Sequence, residues 1–289
     1  MSDYMITTDN MADLPDEYTK EHDMRVLSLT YMIDGESYNK ERELPYQEFY
    51  AKMRAGSMPT TSQVNPEEAK KVFKDTLKKT KNIIHIAFSG SMSGSFASAR
   101  IAAKEIMEEE PDCRIKVIDS LCAAMGQGLY VCLAEQKRAE GMAFEELIEW
   151  LEAIKLHVIH NVMVDDLFHL FRGGRLSKAA AIVGSMMNLK PMLELNDEGR
   201  LSPRSKSRGR KRTMVAMVDR MDKQIGEWRD KNELITISHG DCLEDAEYLQ
   251  SLVKERFGFE KFMITPLGPT IGAHAGPGTL ALFYLGDQR

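Results

Sequence analysis

The sequence predicts an α/β protein of two domains, in which a doubly wound and mostly parallel sheet is followed by an α+β domain. Two observations predict this class. Strand-like and helix-like segments alternate over residues 1–157, an order typical of parallel sheets with helices on both faces. After residue 158 the pattern changes, because the segments around residues 196–199 indicate an antiparallel hairpin. We therefore expect an N-terminal α/β domain at 1–157 and a C-terminal α+β domain at 158–289.

Turn and cap residues divide the first domain into its elements. Asp13 stands before Pro15, so we expect Asp13 to cap a helix. Asp34-Gly35 predicts a hairpin turn inside a small insertion over about 25–54. Asn65 with Pro66 predicts a helix start. The predicted strands are 4–8, 25–33, 83–88 and 115–118, and the further helices are 44–54, 66–79, 95–109, 122–139 and 144–157.

The second domain mixes helices with short strands. Gly173-Gly174 interrupts the chain between two apolar segments, and the turn at 196–199 joins two strands of a hairpin. The run from Thr279 to Leu285 is apolar throughout and predicts a buried closing strand. The remaining predictions are strands at 161–164, 190–195, 234–238 and 261–264, and helices at 177–187, 211–228 and 243–257.

Composition indicates a globular protein of 289 residues that works in a reducing compartment. Apolar residues make up 43% and no apolar run reaches the roughly 18 residues of a membrane span. The N-terminus lacks a basic region followed by an apolar one, so we expect a cytoplasmic location. The four cysteines form neither a C-x-x-C pair nor a His/Cys cluster, so we expect no metal site and no cofactor. A net charge of −6 argues against general nucleic-acid binding.

A loop rich in serine and glycine, from Ser89 to Ser95, follows a predicted buried strand and opens a helix. In a parallel sheet that junction lies at the carboxyl edge, where ligands bind. Free N–H groups at a helix start favour an anion; Gly94 allows close approach, and Ser93 and Ser95 add hydroxyl donors. The spacing fits neither a nucleophile elbow nor a P-loop. The alternative is an ordinary capped turn.

Two other segments supply polar groups in restricted backbone. Residues 266–278 place His274 among four glycines and three prolines. This composition predicts tight turns that hold one titratable group in a defined place. Thr61 and Ser62 belong to the polar segment Thr60-Thr-Ser-Gln63 beside the same predicted sheet edge. We hypothesise that Thr61, Ser93 and His274 surround one carboxylate. The alternatives without a function are a tight turn with an incidental histidine for the tail and an ordinary polar loop for Thr60–Gln63.

A rival hypothesis is a serine-dependent hydrolase or transferase that uses Ser93 and His274. Such an enzyme needs an acidic residue to orient the histidine. Asp9 and Asp119 each follow a predicted strand and are the best candidates for that partner, or for helix caps. No carboxylate stands out in the sequence near His274, so this hypothesis is the weaker one.

Basic residues form two further features of the second domain. Residues 200–212 hold seven lysines and arginines and no acid, which indicates either a solvated surface or a landing site for phosphate or an acidic partner. A nucleic-acid-binding module is the weakest interpretation, because no aromatic residue is interleaved there. Arg175 either holds the domains together or neutralises a buried anion, and an equally good interpretation of its segment is a helix that stops and restarts.

Seven segments together make the chain resemble the DegV family, whose members include the fatty-acid-binding subunit of bacterial fatty acid kinase. The resemblance covers nearly the whole chain. Asn10-Met11 and Ser91 depart from the usual residues, which concerns ligand preference more than the fold. The segments are Thr8-Asp-Asn-Met-Ala-Asp-Leu-Pro15, Thr60-Thr-Ser-Gln63, Ser93-Gly-Ser-Phe-Ala-Ser-Ala99, Val164-Asp-Asp-Leu167, Gly173-Gly-Arg-Leu-Ser177, Leu189-Lys-Pro-Met-Leu193 and the tail around His274.

The resemblance implies a carrier protein that has no enzymatic activity of its own. It implies an acyl chain in a tunnel between the two domains, with the carboxylate held by Thr61 and Ser93 and with His274 nearby. It also implies a separate kinase subunit that phosphorylates the bound acid, in lipid transport or fatty acid metabolism, and docking at Arg208. We expect Ser62, Gly94, Ser95 and Arg175 to support the carboxylate site. We expect no integral contact of the protein with a membrane.

Overall fold

The computed structural model describes residues 4–177, 189–287 and 289. The strands are β1 (Tyr4–Asp9), β2 (Arg25–Leu27), β3 (Thr30–Ile33), β4 (Glu36–Tyr38), β5 (Thr60–Ser62), β6 (Asn82–Ala87), β7 (Arg114–Asp119), β8 (Val158–Met163), β9 (Leu189–Leu195), β10 (Leu201–Arg208), β11 (Ile235–His239), β12 (Phe262–Pro266) and β13 (Leu280–Leu285). The helices are α1 (Asp16–Glu21), α2 (Tyr46–Arg54), α3 (Pro66–Leu77), α4 (Ser95–Glu109), α5 (Met125–Ala139), α6 (Phe144–Ile154), α7 (Phe168–Arg172), α8 (Arg210–Gln224), α9 (Leu243–Phe257) and α10 (Pro269–Ala275). Short 3-10 turns occupy Asn10–Ala12, Lys155–His157 and Gly226–Lys231.

The first sheet is parallel and has the order β2-β1-β6-β7, as the alternating pattern predicts. Successive residues of β6 face opposite sides, since side chains alternate along a strand. Ile83 packs in one apolar core with Phe73 of α3. Ile84 packs in another with Tyr130 of α5 and Leu147 of α6. Helices therefore cover both faces, and the predicted doubly wound α/β class is confirmed.

The predicted insertion forms a small antiparallel sheet of order β4-β3-β5. Asp34 and Gly35 make its turn with φ of 54° and 82°, the left-handed geometry of a tight hairpin. The single strand predicted at 25–33 is wrong. Its first part is β2 in the parallel sheet, and its last part is β3 in the small sheet. Between the two strands, the Leu29 N–H leaves the strand pairing and donates to Asn10 Oδ1 at 3.0 Å.

The second large sheet has six strands in the order β10-β9-β8-β13-β11-β12. Its pairs are antiparallel except for β11 and β12, which run parallel. The hairpin of β9 and β10 confirms the turn predicted at 196–199. The first strand of this sheet, β8, begins at Val158, and the division of the chain at 157/158 stays a prediction. The helix predicted at 177–187 lies outside the described residues, apart from Ser177.

Two other local predictions are corrected by the structure. Asp13 does not cap α1, whose N-cap is Pro15; the Asp13 carboxylate instead accepts the Gly268 N–H at 3.0 Å. The tail expected as turns contains helix α10, because Pro269 occupies its first turn and Gly276, with φ of 84°, ends it. None of the helices in the described ranges has the length and apolarity that crossing a bilayer requires.

Candidate functional site

A mostly apolar cavity lies where the carboxyl edge of the parallel sheet meets the six-stranded sheet. Its empty volume is about 830 Å³, which includes space open to solvent. The lining comes from the ends of β1, β6 and β7, from β8 and β13, and from the β9–β10 hairpin. The apolar lining residues are Met11, Leu29, Phe88, Met92, Ala123, Ala124, Val162, Val164, Leu170, Leu195, Leu201, Leu267, Ile271, Ala275, Ala281 and Phe283.

Thr61 and His274 form a hydrogen-bonded pair in the wall of this cavity. Thr61 Oγ1 of β5 lies 2.8 Å from His274 Nε2 in the last turn of α10. A neutral imidazole carries one N–H and the threonine carries one O–H, and their mutual bond uses only one of these hydrogens. If Nε2 is the donor, the Thr61 hydroxyl keeps its proton for an acceptor in the cavity.

His274 is neutral near pH 7. Burial, with Arg175 and Arg172 nearby, lowers the pKa of its imidazole to about 4. The Nδ1 atom is buried without a hydrogen-bond partner. Gly173 packs against that edge, and a Cβ at Gly173 would lie only 2.1 Å from Nδ1. The ring is therefore held between Thr61 and the backbone of Gly173.

Ser93 also lines the cavity, from the loop between β6 and α4. Its Oγ accepts the Ser95 N–H at 3.2 Å and lies 3.0 Å from Ser95 Oγ. Ser95 is buried behind it and accepts the Val64 N–H at 3.2 Å. Ser95 therefore supports Ser93 without lining the cavity itself.

Two arginines brace the walls around His274. Arg175 lines the cavity and donates from Nε to Met92 O at 3.0 Å and from Nη1 to Gly173 O at 2.5 Å. Burial lowers the pKa of its guanidinium. Arg172 donates to Pro59 O and to Ala273 O, each at 3.1 Å. These contacts tie the α7 region to the serine loop, to the segment before β5 and to α10.

Three of the expected site residues lie elsewhere. Ser62 is exposed and does not line the cavity, because its side chain leaves β5 on the face opposite Thr61. Gly94 makes room for a protein side chain and not for a ligand, since a Cβ there would lie almost on Gln63 Oε1. Arg208 is exposed at the end of β10, away from the cavity lining.

Gln63 and His160 line the cavity although sequence reasoning gave neither of them a role. The Gln63 amide donates to Ser98 Oγ at 3.4 Å. His160 bonds Val158 O at 3.0 Å and the Ala123 N–H at 3.2 Å, and burial lowers its pKa to about 3. Gln63 ends the polar segment Thr60–Gln63, which could have indicated its place in the site. A lone histidine in an apolar strand, such as His160, carries no comparable pattern in the sequence.

Neither aspartate proposed to orient His274 contacts it. Asp9 accepts the N–H groups of Met11 and Phe88 and the Gln127 amide, and burial raises its pKa to about 6. Asp119 accepts the Gly90 N–H at 3.1 Å, so that donor of the expected anion cradle is already occupied. Among the described residues no carboxylate bonds His274, and these contacts give the hydrolase hypothesis no support.

Within the same residues, no group of three His, Cys, Asp or Glu side chains is arranged to hold a metal ion. All four cysteines are free thiols. Burial raises the pKa of Cys122 and of Cys242 to about 11, so both stay protonated and poor as metal ligands near pH 7.

The comparison with known families decides the identity. A family model described as "Uncharacterised protein, DegV family" matches residues 4–287. The chain belongs to the DegV family. A DegV domain-containing protein of Clostridium perfringens is 40% identical to it over 291 residues, which cover 100% of this chain and 99% of that protein.

Solved DegV structures share the fold. A DegV family protein from Thermus thermophilus, described for its fatty acid binding, has a TM-score of 0.87 and 28% identity over 98% of this chain and 99% of that one. DegV from Bacillus subtilis, described as a fatty acid binding protein, has a TM-score of 0.84 and 28% identity over 99% of this chain and 100% of that one. The predicted family and fold class are thereby confirmed for this DegV chain.

Proposed function

We propose that this DegV chain binds a long-chain fatty acid in the cavity, with the carboxylate at Thr61, Ser93 and His274. The observation that carries the proposal is one cavity that combines apolar walls with the Thr61–His274 pair. That combination matches an amphiphile with a long tail and one polar head. The fatty acid binding described for the Thermus and Bacillus relatives supports the same ligand class.

The apolar walls supply most of the binding free energy. A buried methylene contributes about 0.8 kcal/mol, so some fourteen methylenes contribute roughly 11 kcal/mol before the costs of association and ordering. The tail therefore accounts for affinity, and the polar residues account for the placement of the head.

The carboxylate needs several donors because an unpaired buried charge is very costly. The Thr61 and Ser93 hydroxyls each offer one hydrogen. The charge of Arg175, which is already bonded to Met92 O and Gly173 O, acts on the head electrostatically. A bound anion beside His274 would also raise its depressed pKa, since an opposite charge favours the protonated imidazole.

We further propose that a separate kinase subunit acts on the bound acid in the cytoplasm, in lipid transport or fatty acid metabolism, while this chain performs no chemistry. Arg208 supports a docking role because it is exposed at the end of β10, an outer strand of the six-stranded sheet. An acidic surface on the kinase would complement it. The sequence contains no P-loop, so the nucleotide would belong to the partner.

The direct test is the lipid content of the purified protein. Protein produced in bacteria and checked for its folded mass should release about one long-chain fatty acid per chain on denaturing extraction and mass spectrometry. A chain that stays ligand-free after incubation with fatty acids of 14 to 18 carbons, on the order of the tail length used above, would refute the proposed function.

Substitutions test the placement of the head group. Ser93→Ala and Thr61→Ala should each weaken fatty acid binding at least about fivefold, because each removes a donor to a charge. Ser251→Ala is the matched control, since Ser251 is exposed and donates to Tyr248 O at 2.7 Å. Wild-type affinity in both site variants would reject this assignment, even if the acid binds.

A further inference from the structure

The loop that carries Ser93 is fastened to the opposite sheet by two other serines. Ser89 Oγ donates to Gly199 O at 2.8 Å, and Ser91 Oγ donates to Glu198 O at 2.6 Å. Both acceptors lie in the β9–β10 turn, more than a hundred residues away in sequence. Neither bond caps α4, because both hydroxyls donate to carbonyls of this turn and not to groups of the helix.

Ser89 also fixes the backbone that leads to Ser93. Its carbonyl accepts the N–H of Met92 at 3.1 Å and the N–H of Ser93 at 3.2 Å. Arg175 holds the same stretch from the other side through Met92 O. A displacement of residues 89–91 is therefore passed directly to Ser93.

The receiving turn is shaped for this contact. Gly199 has a φ of 72°, and a Cβ there would lie 2.4 Å from Ser89 Oγ. Its N–H donates to Asn196 O at 2.8 Å, and Asn196 Oδ1 accepts the Arg200 N–H at 2.9 Å. The turn is closed by its own hydrogen bonds, so it offers a fixed pair of carbonyls to the serine loop.

We infer that Ser89 and Ser91 are positioning residues that set the Ser93 hydroxyl against the fatty acid carboxylate. The inference rests on the proposed function and adds that affinity for the head group depends on the β9–β10 turn. Leu195 and Leu201, which pair with each other next to this turn, also line the cavity. One hairpin thus contacts the tail and places a donor for the head.

A double-mutant cycle with Ser91 tests the inference. Ser91 is exposed, so Ser91→Ala leaves Glu198 O free to bond water and should fold normally. We expect Ser91→Ala to raise the Kd for palmitate about fivefold when Ser93 is present and less than about twofold in the Ser93→Ala background. Ser91→Thr, which keeps a hydroxyl, should retain most of the wild-type affinity.

The methyl ester of palmitic acid separates positioning from general damage. It has the same tail without the charge, so Ser91→Ala should leave its Kd within about twofold of wild type. Equal losses for acid and ester, additive losses in the cycle, or no loss for the acid would each overturn the inference. If the wild type binds no fatty acid, the proposed function fails and the inference fails with it.

Discussion

Gly173→Ala should damage the site through His274 alone. Gly173 does not have a positive φ, so alanine fits its backbone. The added Cβ would lie 2.1 Å from His274 Nδ1, whereas real contacts of a Cβ stay beyond 3.0 Å. The ring must therefore retreat by about 1 Å. Because Thr61 already lies 2.8 Å from the Nε2 edge of the ring, the imidazole cannot shift straight toward it and must tilt, which breaks the alignment of the Thr61–His274 hydrogen bond.

The expected loss is large enough to measure. A hydrogen bond to a charged group contributes about 1.5–3 kcal/mol, so the Kd for palmitate should rise roughly 10- to 100-fold. Overpacking should also lower the free energy of unfolding by about 1–3 kcal/mol. Calorimetric titration with palmitate and urea unfolding measure the two effects separately.

Gly174→Ala is the matched control for Gly173→Ala. Gly174 has a φ of 73° and open space around its Cβ, so alanine there strains the backbone without touching His274. It should cost about 1–2 kcal/mol of stability and leave the Kd within about threefold of wild type. Wild-type affinity in Gly173→Ala, or equal losses of affinity in both variants, would refute the link from Gly173 through His274 to the ligand.

Three further predictions follow from other contacts. Burial lowers the pKa of His274 from about 6.5 to about 4, so the folded state binds fewer protons than the unfolded state between these values, and stability falls as pH falls. A shift of about 2.5 pH units at about 1.4 kcal/mol each amounts to about 3.5 kcal/mol, of which about 3 kcal/mol falls between pH 7 and pH 4. His274→Asn should remove this part of the acid sensitivity, measured by urea unfolding at pH 7 and pH 4, and unchanged sensitivity contradicts the prediction. Arg208→Glu should weaken binding of the kinase subunit at least about tenfold, measured by surface plasmon resonance, whereas Lys104→Glu, at an exposed position of α4, should not. Equal binding by the two variants argues against docking at Arg208. Asn65→Ala should lower the free energy of unfolding by about 1 kcal/mol, because Asn65 Oδ1 caps α3 by accepting the Glu68 N–H at 2.9 Å. A loss near zero would show that this cap does not stabilise the protein.

The parts of the fold that follow from local rules were accessible from the sequence. Asn65 and Pro66 start α3 as cap and first-turn proline residues do. The Asp34-Gly35 hairpin follows from turn chemistry. The rule that ligands bind at carboxyl strand ends led to the Ser89–Ser95 loop, of which Met92 and Ser93 line the cavity.

The missed features depend on contacts between distant residues. The break between β2 and β3 is fixed by Asn10 Oδ1, and the Gly90 N–H is taken by Asp119. No local pattern announces either bond. Gly272 lowers the helix propensity of α10, yet the helix forms. It forms because the missing side chain lets Tyr50 pack against the helix: a Cβ at Gly272 would lie 2.4 Å from the Tyr50 hydroxyl.

In the site, the identity of the residues was predictable from the sequence, whereas the direction in which each side chain faces was not. Sequence and family resemblance placed Thr61, Ser93, Arg175 and His274 together, and all four line one cavity. They did not show that Thr61 and Ser62, as neighbours on a strand, face opposite sides of β5. Register is a property of the folded sheet and was not evident in so short a polar segment.

A crystal structure of the chain with palmitate tests the central claim most directly. The account predicts a continuous acyl tail between the parallel sheet and the six-stranded sheet, with one carboxylate oxygen within about 3 Å of Thr61 Oγ1. Density for the head group at the opposite end of the cavity, or for the acid at another place on the protein, would contradict it.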